Sequence, residues 1–184
     1  MKLVGDKVYL RYPKVTDVKR ILEIVNNPDV KPMLGVKNKP KKTVKQEIAW
    51  IKKRPEARKN KIDFDFVIIE KDTDYMIGIC SLHYDKYDKK ADIGTCIAPK
   101  FWGKKYGREG VQLLLSYCFK KLDLDLVIAQ AYDFNEGSNK LLSILGFNHD
   151  ATLRKYCLKK DGSRCSLNHF SITLEEFNAN NRNK

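Results

Sequence analysis

The chain lacks any apolar run approaching the ~18 residues that cross a bilayer, so a membrane-spanning helix is excluded. A signal-peptide start is missing too. In MKLVGDKVYLRY the apolar stretches are broken by Asp6, Lys7 and Arg11, and a cytoplasmic protein is the expectation. CxxC pairs are absent. The five cysteines (Cys80, Cys96, Cys118, Cys157, Cys165) are scattered, and the three histidines (His83, His149, His169) do not stand at the paired spacing of a zinc site. Reduced, buried thiols and no metal are expected. Neither GxxxxGK(S/T) nor GxGxxG occurs, which removes the Walker A and dinucleotide fingerprints. No Ser or Cys is set beside a His in the manner of an activated nucleophile. Repeats and long linkers are missing as well. The 184 residues fit one domain, 1–184, with a tail over 178–184 expected to fray.

What is abundant is positive charge. Lys and Arg number 36 against 23 Asp and Glu, a formal net charge of +13. Such a chain attracts anions: nucleic acid, membrane surfaces, the ribosome or a polyphosphate cofactor. The plainer reading is a lysine-rich solvated surface, because the lysines are dispersed along the chain. With 42% hydrophobic and 32% charged residues the composition is globular.

The pattern along the chain predicts a strand over 7–12, then a helix capped by Thr16 and reaching Asn26. Pro28, Pro32, Gly35 and Pro40 mark an irregular stretch. Thr43 and Gln46 form a capping box for a second helix, which Pro55 is expected to end or kink. Three strands, over 64–70, 75–84 and 91–97, make an antiparallel meander. A helix over about 108–121, a strand over 126–132 and a short helix over 138–145 stopped by Gly146 follow. Strands over 153–158 and 165–174 pair across the turn KKDGS. The fold class is α/β, a mixed and mostly antiparallel sheet of about seven strands flanked by helices; regular strand–helix alternation is absent.

The segment APKFWGKKYGRE joins a strand to a long helix through a glycine-containing loop. A helix N-terminus presents unpaired N–H groups and a partial positive charge, glycine lets backbone approach an anion, and Lys104, Lys105 and Arg108 add full charges. These are the components of a pyrophosphate site.

Here the sequence resembles the GNAT N-acetyltransferases, and within them the RimJ/RimL-type branch. The segments that carry the likeness are ADIGTCIAPKFWGKKYGREGVQLLLSYCFKKL, NEGSNKLLSILGF and LRKYCLKKDGSRCSLNHFSITLEEF, and it extends from Val8 to about Phe177. The resemblance implies acetyl transfer from acetyl-CoA, the cosubstrate, to a primary amine. It implies a sheet whose fourth and fifth predicted strands splay apart around pantetheine. Trp102, Gly103, Lys104, Lys105, Tyr106, Gly107 and Arg108 match the loop that wraps the CoA pyrophosphate. Trp102 stands where Gln or Arg is usual, and Lys105 where the first glycine is usual. Ile97 and Ala98 end the strand beside the cofactor, with an N–H near Ile97 facing the thioester oxygen. Asn135 matches the residue that bonds pantetheine or substrate, Ser138 a proton donor to the leaving thiolate, and Lys140 a partner for the 3′-phosphate. Read from the residues alone, Asn135 and Ser138 are a helix cap.

Asp92 matches the acidic residue that starts this strand in many members, acting as base directly or through water; the plainer reading is a solvated strand-end carboxylate. His83, His149 and His169 are alternatives, with His83 ending a strand on the substrate side. Tyr84 and Tyr132 are candidate acids, and Tyr106 is expected to pack at the loop. Asp63 and Asp65 read as exposed on a solvent face, with a contribution to an acidic acceptor pocket as the alternative. The acceptor is a protein N-terminus, ribosomal or otherwise, or a small amine; the +13 charge disfavours a polycation. The rival class is an idle acetyl-CoA binder or a basic ribosome- or nucleic-acid-binding module, separable by salt titration. A homodimer is the expected assembly.

Overall fold

The computed structural model describes residues 1–35, 40–159 and 161–182. Eight strands form one sheet: β1 (Lys2–Val4), β2 (Val8–Arg11), β3 (Asp63–Glu70), β4 (Tyr75–Asp85), β5 (Lys90–Ile97), β6 (Leu126–Tyr132), β7 (Asn148–Leu158) and β8 (Arg164–Thr173). The spatial order is β1-β2-β3-β4-β5-β6-β8-β7. Every neighbouring pair is antiparallel except β5 and β6. A parallel neighbour needs a long crossover, and α3 (Tyr106–Lys121) supplies it.

Side-chain alternation assigns the two faces. On β3, Phe64 and Phe66 turn their rings to Tyr117 of α3 at 5.7 and 5.8 Å. Asp63 and Asp65 point the other way, to Arg54 of α2 (Val44–Lys59), each at 3.0 Å. Helix α1 (Val18–Val25) shares the α2 side and buries Val18, Ile21, Ile24 and Val25. The core therefore lies on both faces of the sheet, with Phe66, Leu82, Leu114 and Ile172 among its fully enclosed side chains.

The meander and the strand over 126–132 stand where the pattern places them. The capping box on α2 is present, with Gln46 N–H donating to Thr43 Oγ1 (3.3 Å) and Thr43 N–H to Gln46 Oε1 (2.9 Å). Thr16 caps nothing. It lies inside a 3-10 turn, Val15–Asp17, and the helix starts at Val18. Asp17 dominates this corner: its carboxylate accepts Arg11 through both oxygens (2.7 and 2.8 Å) and the Lys14 N–H (2.7 Å). Pro55 neither ends nor breaks α2. The cations around it are docked, Arg54 on Asp63 and Asp65 and Arg58 over the Tyr12 ring at 3.9 Å, so tertiary contacts outweigh the proline.

Helix α4 (Glu136–Ile144) ends as expected, with Gly146 left-handed at φ +87°. The strand β1 has no sequence signal beyond three residues. The tail forms α5 (Leu174–Arg182) where fraying was expected, because Phe177 packs on Phe119 with ring centroids 4.9 Å apart. Residues 183–184 of that tail, 36–39 of the irregular stretch and 160 of the KKDGS turn lie outside the described residues. The described part of that turn closes with Lys159 N–H donating to Ser163 O (2.7 Å) and Gly162 at φ +83°.

Candidate active site

The parallel pairing of β5 with β6 covers only Lys90–Ile93 against Leu126–Ala129. Beyond it each strand stays paired on its other side, β5 with β4 as far as Ile97 and β6 with β8 as far as Tyr132. A wedge-shaped cleft therefore opens between residues 94–97 and 130–132. Ala98 N–H donates to Ile77 O (2.8 Å), which fixes the parity of the β4–β5 ladder. By that parity Asp92, Gly94 and Cys96 bond toward β4, whereas Thr95 and Ile97 turn their N–H and C=O groups into the cleft. Trp102 Nε1–H occupies the Ile97 carbonyl at 2.7 Å, leaving the Ile97 N–H facing the opening. Ile97 and Ala98 are buried, at 8% and 5% exposure.

The loop continues from this point. After a 3-10 turn, Pro99–Phe101, Gly103 takes φ +75° and Lys105 φ +68°, and α3 begins at Tyr106. Lys105 thus reaches the left-handed conformation natural to the glycine it replaces, at a cost of about 1–2 kcal/mol. No side chain caps the helix, and the first bond into it is Glu109 N–H to Lys105 O (3.1 Å). Among the described residues the N–H groups of 103–108 donate to no protein acceptor, which leaves a concentrated set of donors for an anion. Lys104 and Lys105 are exposed, Arg108 half-buried. Tyr106 packs as expected: its hydroxyl donates to Glu70, and its ring meets Phe101 at 6.1 Å. Glu109 ties the helix to the sheet by accepting the Lys7 N–H (2.8 Å) and Val8 N–H (3.2 Å). A Cβ added at Gly107 would stand 3.4 Å from Ile97 and 3.9 Å from Leu141, in the space between β5 and α4.

Across the cleft, Asn135 is the N-cap of α4, its Oδ1 accepting Ser138 N–H at 3.1 Å. Ser138 is half-buried and Lys140 exposed. A neighbour that the sequence reading passed over fixes this corner. Asn139 donates to Tyr132 O (2.9 Å) and Asn135 O (2.8 Å) and accepts Asn168 (2.8 Å). Its spacing of four from Asn135 was the available signal.

The α2 face of the meander carries a polar pocket of about 370 Å³ lined by Arg54, Asp63, Asp65, Ser81, His83 and Asp92. The strand register creates it: Asp63 pairs with His83 and His83 with Asp92, while Asp65 pairs with Ser81 and Ser81 with Gly94. The expectation that Asp63 and Asp65 face solvent is wrong. The Asp65 side chain is 8% exposed and the Asp63 side chain 27%, because Arg54 draws both inward. Burial pushes the Asp65 carboxyl up despite Arg54. His83 Nδ1 lies 2.7 Å from Asp63 Oδ1. Asp92 is half-buried rather than solvated, and burial pushes its carboxyl up against the pull of His83 and His169. His169 Nε2 is buried without a hydrogen-bond partner among the described residues. His149 sits on Phe170 (5.2 Å) and Tyr84 turns to Phe64 on the α3 face, so neither joins the pocket. Burial raises the Tyr132 hydroxyl to about 12.

Cys80, Cys96 and Cys118 are free thiols. Cys96, adjacent to Ile97, is pushed up to about 12 by burial, so it is no thiolate at neutral pH. Among the described residues no group of His, Cys, Asp or Glu is arranged to hold a metal ion, and no helix is long and apolar enough to cross a membrane.

Comparison with known proteins decides what the cleft belongs to. The sequence profile described as "Acetyltransferase (GNAT) domain" matches residues 7–148. The chain belongs to the GNAT acetyltransferase family. The uncharacterized N-acetyltransferase YoaA of Bacillus subtilis (strain 168) is 28% identical over 171 residues, covering 92% of this chain and 95% of YoaA. Two solved GNAT structures share the fold. The spermidine N-acetyltransferase of Vibrio cholerae, in complex with CoA and spermine, aligns with TM-score 0.82 at 18% identity over 94% of this chain and 99% of that one. The ribosomal-protein-S5-alanine acetyltransferase of Vibrio fischeri aligns with TM-score 0.81 at 20% identity over 96% and 98%. As a GNAT member the chain is an acetyltransferase, and the family's donor is acetyl-CoA. The orphan N–H groups of 103–108 and the flanking cations suit a pyrophosphate.

Proposed function

We propose that this GNAT chain moves an acetyl group from acetyl-CoA to a primary amine by direct attack, in the manner of the RimJ/RimL-type branch. The observation that carries the reading is the cleft between β5 and β6, opening beside a helix N-terminus whose first N–H groups have no acceptor among the described residues. The acetyl thioester supplies an activated acyl carbon. The residues of this chain do the rest. Trp102 through Arg108 hold the phosphates through backbone N–H groups and the charges of Lys104, Lys105 and Arg108, and Lys140 reaches the 3′-phosphate. Ile97 N–H donates to the thioester oxygen, with Ala98 closing the strand end. Asn135 combines its capping role with a contact to pantetheine, and Ser138 gives a proton to the departing thiolate. Asp92, made a better base by burial, takes the proton of the ammonium directly or through water. The high thiol value of Cys96 argues against a covalent acyl-enzyme.

The acceptor is a protein N-terminus or a small-molecule amine, a ribosomal protein among the former. The free thiols of Cys80, Cys96 and Cys118 fit a reducing cytoplasm, and the chain works as one domain, as a homodimer. An acceptor panel incubated with acetyl-CoA and read by mass spectrometry tests the reaction: acetylated product is expected. Failure of acetyl-CoA to bind in calorimetry would overturn the reading.

A further inference from the structure

We infer that Asp63 and His83 form a positioned dyad that carries the acceptor's proton out of the pocket, from Asp92 to solvent. This rests on the transferase reading above. The arrangement runs in one line across β3, β4 and β5. Arg54 Nη1 holds Asp63 Oδ2 and Asp65 Oδ2 at 3.0 Å each, and its guanidinium lies 4.9 Å from the Trp50 ring. With one oxygen so fixed, Asp63 presents the other to His83 Nδ1 at 2.7 Å. A carboxylate only accepts, so Nδ1 carries the hydrogen, and in the neutral ring Nε2 is then the nitrogen with a lone pair. Asp92 is the cross-strand partner of His83 and lies on the same face, where directly opposed Cβ atoms stand about 5 Å apart.

The two ends of this line differ in exposure. Asp92 is half-buried, and the His83 side chain is 67% exposed. A carboxyl that has just taken a proton in a desolvated site must lose it before the next turnover. With Nδ1 held by Asp63, Nε2 is the His83 nitrogen left to take that proton. The steps balance: the ammonium N–H bond breaks as the Asp92 O–H bond forms, that O–H breaks as the His83 Nε2–H bond forms, and Nε2–H then loses its proton to water. Asp63 touches no substrate. It is a positioning residue that sets the tautomer and the ring orientation.

Two measurements test the dyad. Long-range nitrogen–proton NMR of the histidine-labelled full chain should show His83 protonated on Nδ1, and Asp63→Asn should erase that preference; an Nε2–H tautomer in wild type overturns the proposal. For turnover, the probes are acetyl-CoA with an alanyl tetrapeptide, spermidine and glucosamine, followed by CoA release. His83→Ala should lower kcat about 100-fold with the KM for acetyl-CoA unchanged, and free imidazole should restore part of the loss. Asp63→Asn should lower kcat about tenfold without imidazole rescue, and Asp63→Glu should recover most of it. Wild-type turnover by His83→Ala overturns the relay while leaving the transferase reading intact. Acetyl transfer by wild type to none of the three amines, nor to a wider panel, overturns both, and the NMR result then reports the dyad's geometry alone.

Discussion

At its carboxyl end β5 runs into a loop of exposed cations and unpaired N–H groups, whereas near its start it carries Asp92 into side chains that already partner one another. The loop owes its form to backbone: two left-handed residues, Gly103 and Lys105, and a helix start without a cap. The pocket owes its form to register, because Asp63, His83 and Asp92 stand in a row only through the pairing of three strands. Its charges are mostly matched within the protein. A site of the first kind loses ligand affinity when damaged and keeps its fold. A site of the second kind couples chemistry to stability.

The same difference explains what was legible beforehand. The loop is local, seven residues with glycine, cations and a helix behind them, and its position could be read from the chain, while the resemblance supplied its neighbours Ile97 and Ala98. So could the cap at Asn135, since N-cap chemistry is local too. Asp63 and Asp65 were misjudged because their burial depends on Arg54, nine and eleven residues earlier on a different element. Nothing in DFDFVIIE alone tells which alternating face a helix will cover. Pro55 does not end α2, one of the two outcomes expected of it, because docked neighbours override propensity.

The largest break in the comparison comes at Asp92. Asp92→Asn should lower kcat/KM by roughly 10²–10⁴, the range of general-base catalysis, with acetyl-CoA affinity in calorimetry unchanged. The rate of the variant should recover as pH rises, because more of the acceptor amine is then neutral. Near-normal turnover from pH ~6 to ~9, spanning the ordinary amine and carboxylate ranges, would move the proton to another group.

Next comes Arg54, where pocket chemistry meets stability. Arg54→Met leaves the buried Asp65 without its cation and should cost about 3–5 kcal/mol in denaturant unfolding. The sign of the pH effect follows from Asp65. Its folded carboxyl already titrates above the ordinary value through burial, and loss of Arg54 removes the opposing pull. The folded state then binds the proton more readily than the unfolded one, so the deficit should shrink as pH falls toward Asp65's folded value. A deficit that grows on acidification would show that Asp65 is not the stranded group.

At the loop, Gly107→Val should remove acetyl-CoA binding by about 100-fold or more while unfolding stays cooperative. Gly107 lies within α3 at an ordinary φ, so the expected damage is steric and not backbone strain: the added carbons fill the gap toward Ile97 and Leu141. Unchanged affinity would place the ligand elsewhere.

The smallest effect is the most discriminating, and it falls on Lys105. This residue holds a glycine's conformation, φ +68°, while contributing a cation beside the unpaired N–H groups. Charge and geometry therefore make opposite predictions for Lys105→Gly. Relief of the left-handed backbone returns about 1–2 kcal/mol, and the greater freedom of glycine in the unfolded chain takes back about 0.5–1. A net gain near 0.5 kcal/mol in thermal or denaturant unfolding is expected. Acetyl-CoA affinity should nonetheless fall by about 1–2 kcal/mol, the scale of one charge-assisted contact. Lys105→Ala should lose the same affinity and gain no stability, because alanine keeps the strained φ. If the glycine variant instead binds at wild-type strength or better, the backbone alone makes the phosphate site, and the lysine is a surface charge tolerated at a glycine's position.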